Sequence, residues 1–171
     1  PYRLADRPGN KPLLVLFEQK ICGHCDELHG DILKRKESAA LLQQFDVLLL
    51  EMWSDTPVQT PAGQQTTAAI WSRELGVQYV PSMVIFDKAG DEVFRTEAYL
   101  KSFHIQSALE YVLSGAYREQ PSFQRFVQAR AEALESIAPI LADVVEAVGA
   151  EQVRAILPIL REVRKRFDGP T

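Results

Sequence analysis

Apolar residues follow two rhythms along this chain. In the first part, short unbroken runs alternate with helical stripes; beyond Gly115 only stripes remain. The run Leu13-Leu14-Val15-Leu16-Phe17 predicts a buried strand over about residues 12–18. A helix follows, to about residue 43. Residues 45–52 are almost wholly apolar and predict a second strand, central and covered on both faces. Residues 66–75 predict a helix ended by Gly76, and residues 77–81 are extended. Residues 83–86 and 92–95 predict a hairpin around the turn Asp87-Lys88-Ala89-Gly90, and residues 103–113 a helix closed by Ser114-Gly115. Residues 1–11 and 54–65, rich in proline, glycine and polar residues, read as an irregular lead-in and a loop. The order strand, helix, strand, helix, strand, strand, helix implies an α/β fold: a mixed central sheet with helices on both faces.

The all-helical part carries three stripes. Phe123, Phe126, Val127, Ala131 and Leu134 form the first; Ile137, Ile140, Leu141, Val144, Val145 and Val148 the second; and Val153, Ile156, Leu157, Leu160, Val163 and Phe167 the third. Pro139 is expected to interrupt the first two, and Pro158 to kink the last. The expected division is a domain over residues 1–134 and a helical C-terminal extension over 135–171. An amphipathic helix must bury its apolar face. The extension therefore packs on its parent domain, forms a local hairpin, or serves as a dimer or partner-docking surface.

Composition narrows the function. A chain of 171 residues, 46% hydrophobic, suffices for one core plus an appendage. With a net charge of −4 and no basic run interleaved with aromatics, nothing points to nucleic acid. The longest apolar runs are too short to span a bilayer. No secretory leader is visible at Pro1, which leaves the compartment open.

The only two cysteines form Cys22-Gly23-His24-Cys25, between the first strand and its helix. A dithiol at a strand-to-helix junction suits reversible disulfide chemistry, because a helix N-terminus favours thiolate over thiol. A metal reading also stands: Cys25 and His29, four apart, share a helical face, so a Cys22/Cys25/His29 site is conceivable, but a fourth ligand would be required and the remaining distant histidine is His104. A purely structural disulfide closing so short a loop would restrain the unfolded chain little.

Phe17, Cys22-Gly23-His24-Cys25 and Val80-Pro81-Ser82-Met83-Val84-Ile85-Phe86-Asp87 followed by Gly90 make the chain resemble the thioredoxin superfamily. Within it, the chain is most similar to the SoxW-type periplasmic thioredoxins. That closer likeness rests on Cys25-Asp26-Glu27-Leu28-His29, the long loop after the second strand, and Arg95 to Leu100 followed by Tyr111-Val112, Ser114-Gly115-Ala116-Tyr117 and Pro121-Ser122-Phe123. The resemblance covers residues 10–134. It implies a thioredoxin-like fold followed by the helical extension, a periplasmic location and no cofactor. It implies disulfide-containing protein substrates and an upstream electron donor as partners. It makes Cys22 the nucleophile, Cys25 the resolving thiol, and Pro81 a cis-proline facing them. Gly23 and Val80 then join Pro81 in binding an extended substrate segment. His24, when charged, stabilises the Cys22 thiolate and makes the pair more oxidising.

Two positions depart from that family's pattern. The buried acid usually found six residues before the first cysteine is Leu16, and the aromatic usually just before that cysteine is Ile21. Glu18, on the same strand face as Leu16, is a candidate substitute proton relay. The competing functional classes are a binding module with an idle dithiol and a metal-handling module using the Cys/His cluster.

Overall fold

The structure is a computed structural model that describes residues 2–149 and Arg154. Its main sheet has the order β3-β2-β6-β7, built from β2 (Leu13–Glu18), β3 (Asp46–Glu51), β6 (Ser82–Phe86) and β7 (Glu92–Thr96). β2 runs parallel to β3 and antiparallel to β6, which pairs antiparallel with β7. Alternation along β2 sends Leu13, Val15 and Phe17 into one core and Leu14 and Leu16 into the other. On the first face, α3 (Ala68–Glu74) inserts Trp71, whose ring meets Phe17 edge-on and stacks on Phe86. On the second, α4 (Ser102–Leu113) packs Ile105, Ala108, Leu109 and Val112 against Met83 and Ile85. Residues Leu13 to Phe17 are all at most 2% exposed. Burying each such side chain is worth about 1.5–3 kcal/mol, which makes β2 the anchor of the fold. The thioredoxin-like α/β class read from the sequence is the class observed.

Four details differ from the sequence reading. First, β3 is an edge strand, not a central one. Leu48 and Leu50 point into the Trp71 core, but Val47 and Leu49 are 42% and 46% exposed. An apolar run announces a strand that can be buried; it does not announce how many neighbours it has.

Second, the helix after the cysteines is not continuous to residue 43. α1 (Gly23–Glu27) widens into a π turn, Leu28–Ile32, closed by the Leu33 N–H on the Leu28 carbonyl. Arg35, with φ −60° and ψ 139°, breaks the path before α2 (Lys36–Leu42). Gly30, in the middle of the π turn, weakens the preference for an α-helix there.

Third, the lead-in and the polar loop build a second, three-stranded sheet. β1 (Tyr2–Arg3) pairs parallel with β4 (Pro57–Gln59), which pairs antiparallel with β5 (Gln65–Thr67). Pro57 opens its strand, where a missing N–H is tolerated. This sheet meets the β6–β7 turn closely: at Gly90, with φ +95°, an added Cβ would lie 3.1 Å from Pro61 Cβ.

Fourth, α6 (Phe123–Val148) runs through Pro139. A proline costs a helix one hydrogen bond and some crowding, and here the flanking turns carry the helix across. The third stripe and Pro158 lie outside the described residues.

The chain divides into two compact units, Pro1–Val127 and Gln128–Thr171. The expected boundary after residue 134 falls inside α6. In the first unit, α5 (Ala116–Glu119) and the start of α6 close an aromatic cluster in which Tyr111 meets Tyr117, Phe123 and Phe126. Burial holds the Tyr111 phenol above its ordinary range.

Candidate functional site

β2 delivers the chain from the middle of the sheet into the Cys22–Cys25 loop. Gln19 tethers that loop: its Nε2 donates to the Ile21 carbonyl (3.0 Å) and its Oε1 accepts from Trp53 Nε1 (3.4 Å). Ile21 itself is 90% exposed. Cys22 caps α1 in an extended conformation. Its Sγ accepts the Cys25 N–H at 3.1 Å, and its carbonyl accepts the Asp26 N–H at 3.0 Å. The two cysteines form a disulfide with Cα atoms 5.2 Å apart. They are not equivalent. Cys25 is buried, whereas Cys22 is half-buried and flanked by exposed Gly23 and His24. A Cβ added at Gly23 would meet nothing within 4 Å, so this side of the loop opens to solvent.

His24 does not wave freely. Its ring stacks on Tyr99, with centroids 4.8 Å apart and planes 15° apart. Tyr99 lies in the β7–α4 connection and its hydroxyl bonds Glu27 on α1. That bond, and secondarily burial, raise its phenol above the usual tyrosine range.

The Val80–Pro81 bond is cis, and Pro81 is buried. The β2–β6 ladder begins at the pair Phe17–Ser82, so Val80 lies outside it. Ser82 Oγ closes the turn by donating to the Tyr79 carbonyl at 2.6 Å. Because β6 is antiparallel to β2, the Val80–Pro81 turn and the dithiol loop leave the sheet at the same end. Leu16 lines a small apolar recess there with Leu28, Pro81 and Met83.

Glu18, at the end of β2, pairs with His29: Oε1 lies 2.6 Å from Nε2. His29 is thus engaged by a carboxylate. Among the described residues, no group of three or more His, Cys, Asp or Glu side chains is placed to hold a metal ion. His104 sits in α4, against Phe103.

The sequence reading paired neither His29 with Glu18 nor His24 with Tyr99. The first pair had a usable signal, since His29 lies one helical turn beyond Cys25 and Glu18 ends the preceding strand. The second had none, because Tyr99 is far along the chain in an irregular connection.

A central strand that ends in a disulfide-forming Cys-x-x-Cys at the head of a helix defines, in general terms, a thiol–disulfide oxidoreductase of thioredoxin-like fold. Residues 5–113 match the family model described as a thioredoxin-like domain, and the chain belongs to that family. No curated protein matches it. Among solved structures it is similar to a thioredoxin-fold protein from Helicobacter pylori, at 16% identity and a TM-score of 0.65, over 74% of this chain and 88% of that one. It is also similar to a thioredoxin from Thermus thermophilus, at 22% identity and a TM-score of 0.47, over 60% of this chain and 74% of that one. A third is the C-terminal domain of DsbD from Neisseria meningitidis, at 14% identity and a TM-score of 0.45, over 63% and 82% of the two chains. At 16% identity the first of these likenesses speaks to the fold alone.

Proposed function

We propose that this chain reduces or exchanges disulfides in partner proteins through Cys22 and Cys25, as a periplasmic protein of the SoxW type. The observation that carries the chemistry is the asymmetry of the pair. Half-buried Cys22 has a backbone N–H aimed at its sulfur, while Cys25 is enclosed. A hydrogen bond to the charged form stabilises a thiolate, so Cys22 is the attacking group. Its thiolate attacks one sulfur of a substrate disulfide and releases the other as a thiolate. Cys25 then attacks Cys22 Sγ, releasing the second substrate sulfur and closing Cys22–Cys25. The substrate gains two electrons, which an upstream protein donor returns to the pair. His24, held against Tyr99, is the residue in the loop that tunes this exchange.

Val80 and Gly23 are the substrate-facing positions. Val80 lies outside the sheet ladder beside Pro81, and Gly23 is open to solvent; both suit an extended segment docking by strand addition. The SoxW-type and periplasmic assignments rest on the motif Cys25-Asp26-Glu27-Leu28-His29 and the segment from Arg95 to Phe123.

Reduction of insulin disulfides tests the chemistry. Cys22→Ser is expected to abolish it, and Cys25→Ser to accumulate a mixed disulfide visible on a non-reducing gel. Wild-type activity in Cys22→Ser would overturn the assignment. Fractionation of cells expressing the full gene product tests the compartment.

A further inference from the structure

We propose that His29, oriented by Glu18, takes the proton from the Cys25 thiol when Cys25 resolves the mixed disulfide. This rests on the dithiol reading above and adds the step that reading leaves open. Cys25 is 4% exposed. A buried thiol stays protonated, and only the thiolate attacks a disulfide, so a base must reach it. The β2 residues on the sheet face that packs against the π turn, Leu14 and Leu16, are aliphatic and at most 2% exposed, and offer no acceptor.

The helix offers one. His29 follows Cys25 by four residues, about one turn across the junction of α1 and the π turn, which puts the two on the same side of the helix. Helical side chains lean toward the N-terminus, a direction that carries the imidazole toward the turn that holds Cys25. Glu18 fixes its other end, with Oε1 at 2.6 Å from Nε2. A neutral imidazole donates Nε2–H to that carboxylate and keeps Nδ1 as an acceptor. The carboxylate holds the ring in that orientation.

Three acids on the adjoining elements have partners of their own. Glu51, in register with Glu18 on β3, accepts the Trp53 N–H. Asp31 pairs with Arg35, and Glu27 with Tyr99. The side chains of Glu18 and His29 are 17% and 38% exposed, so the proton has a way out to water.

The step balances. The Cys25 S–H proton passes to His29, the Cys25 sulfur bonds to Cys22 Sγ, and the Cys22–substrate bond breaks. The departing substrate thiolate takes a proton from His29 or from water. Glu18 is a positioning residue; His29 is the group assigned to take the proton.

The test uses the intact reduced protein and the chromogenic disulfide of thionitrobenzoate in a stopped-flow instrument. The first thionitrobenzoate released reports attack by Cys22, the second resolution by Cys25. His29→Gln should slow the second phase by about tenfold or more near neutral pH. The first phase should change less than about twofold, and the deficit should shrink in alkaline solution, where the thiol ionises unaided. Glu18→Gln, which keeps the shape of the side chain, should slow the second phase by a smaller factor. Should His29→Gln fail to fold, Glu18→Gln decides. A second phase at the wild-type rate in the folded variants overturns the proposal, as does a deficit that persists unchanged into alkali. A wild-type protein that releases no second thionitrobenzoate would instead overturn the dithiol reading itself.

Discussion

β2 and β3 are neighbours of equal length, nearly equal apolarity and the same direction, and each ends in a glutamate, Glu18 and Glu51, in register. Yet one is the axis of the molecule and the other its margin. β2 is flanked by β3 and β6, and its apolar residues are sealed on both faces. β3 has one neighbour in the sheet and leaves Val47 and Leu49 half open. The glutamates diverge the same way. Glu18 meets His29 from the dithiol helix, whereas Glu51 turns back to the Trp53 N–H. The disulfide loop hangs from the end of the strand least able to shift.

That contrast can be broken at three levels. The largest effect is on stability. Leu14→Ala, at a site 1% exposed in β2, should cost about 2–5 kcal/mol, whereas Leu49→Ala, 46% exposed in β3, should cost under about 1 kcal/mol; urea denaturation measures both. Comparable losses would mean that β3 is covered in solution. The next effect is kinetic. Glu18→Gln should slow the resolving step by a few-fold, about 1 kcal/mol, while Glu51→Gln should leave it unchanged; stopped-flow traces of the two variants side by side give the answer. The smallest concerns the loops beyond the strands. His24→Pro removes a group that, when charged, favours the Cys22 thiolate. The pair should become more reducing, by about 10–20 mV. Val47→Thr, near the start of β3, should leave the potential where it is. Equilibration with glutathione redox buffers reads both.

Much of this was legible in the chain. Leu13 to Phe17 announced the buried strand, and Cys22 and Cys25 the disulfide loop at its end. The hairpin and α4 came from short-range signals, the turn ending at Gly90 and the stop at Ser114-Gly115. The edge position of β3 did not, because sheet order is a property of pairing between distant segments. Nor did the second sheet, whose strands of two and three residues carry no periodicity. At the site, Glu18 was legible as a carboxylate near the dithiol, but its partner emerged only once the strand end and the helix were side by side. Tyr99 was hidden entirely, since its contact with His24 joins residues from opposite ends of the domain.

The π turn at Leu28–Ile32 acts as a phase adjuster along the backbone. One residue in an ordinary α-helix advances the side-chain direction by about 100°. By taking up one extra residue in a wide turn, the chain lets its two ends keep separate bearings. Upstream, Cys25 is held in α1 within disulfide reach of Cys22. Downstream, Ile32 is in step with the core formed by Ile105 and Leu109. Length changes beyond the turn can therefore be absorbed without turning Cys25 away from Cys22.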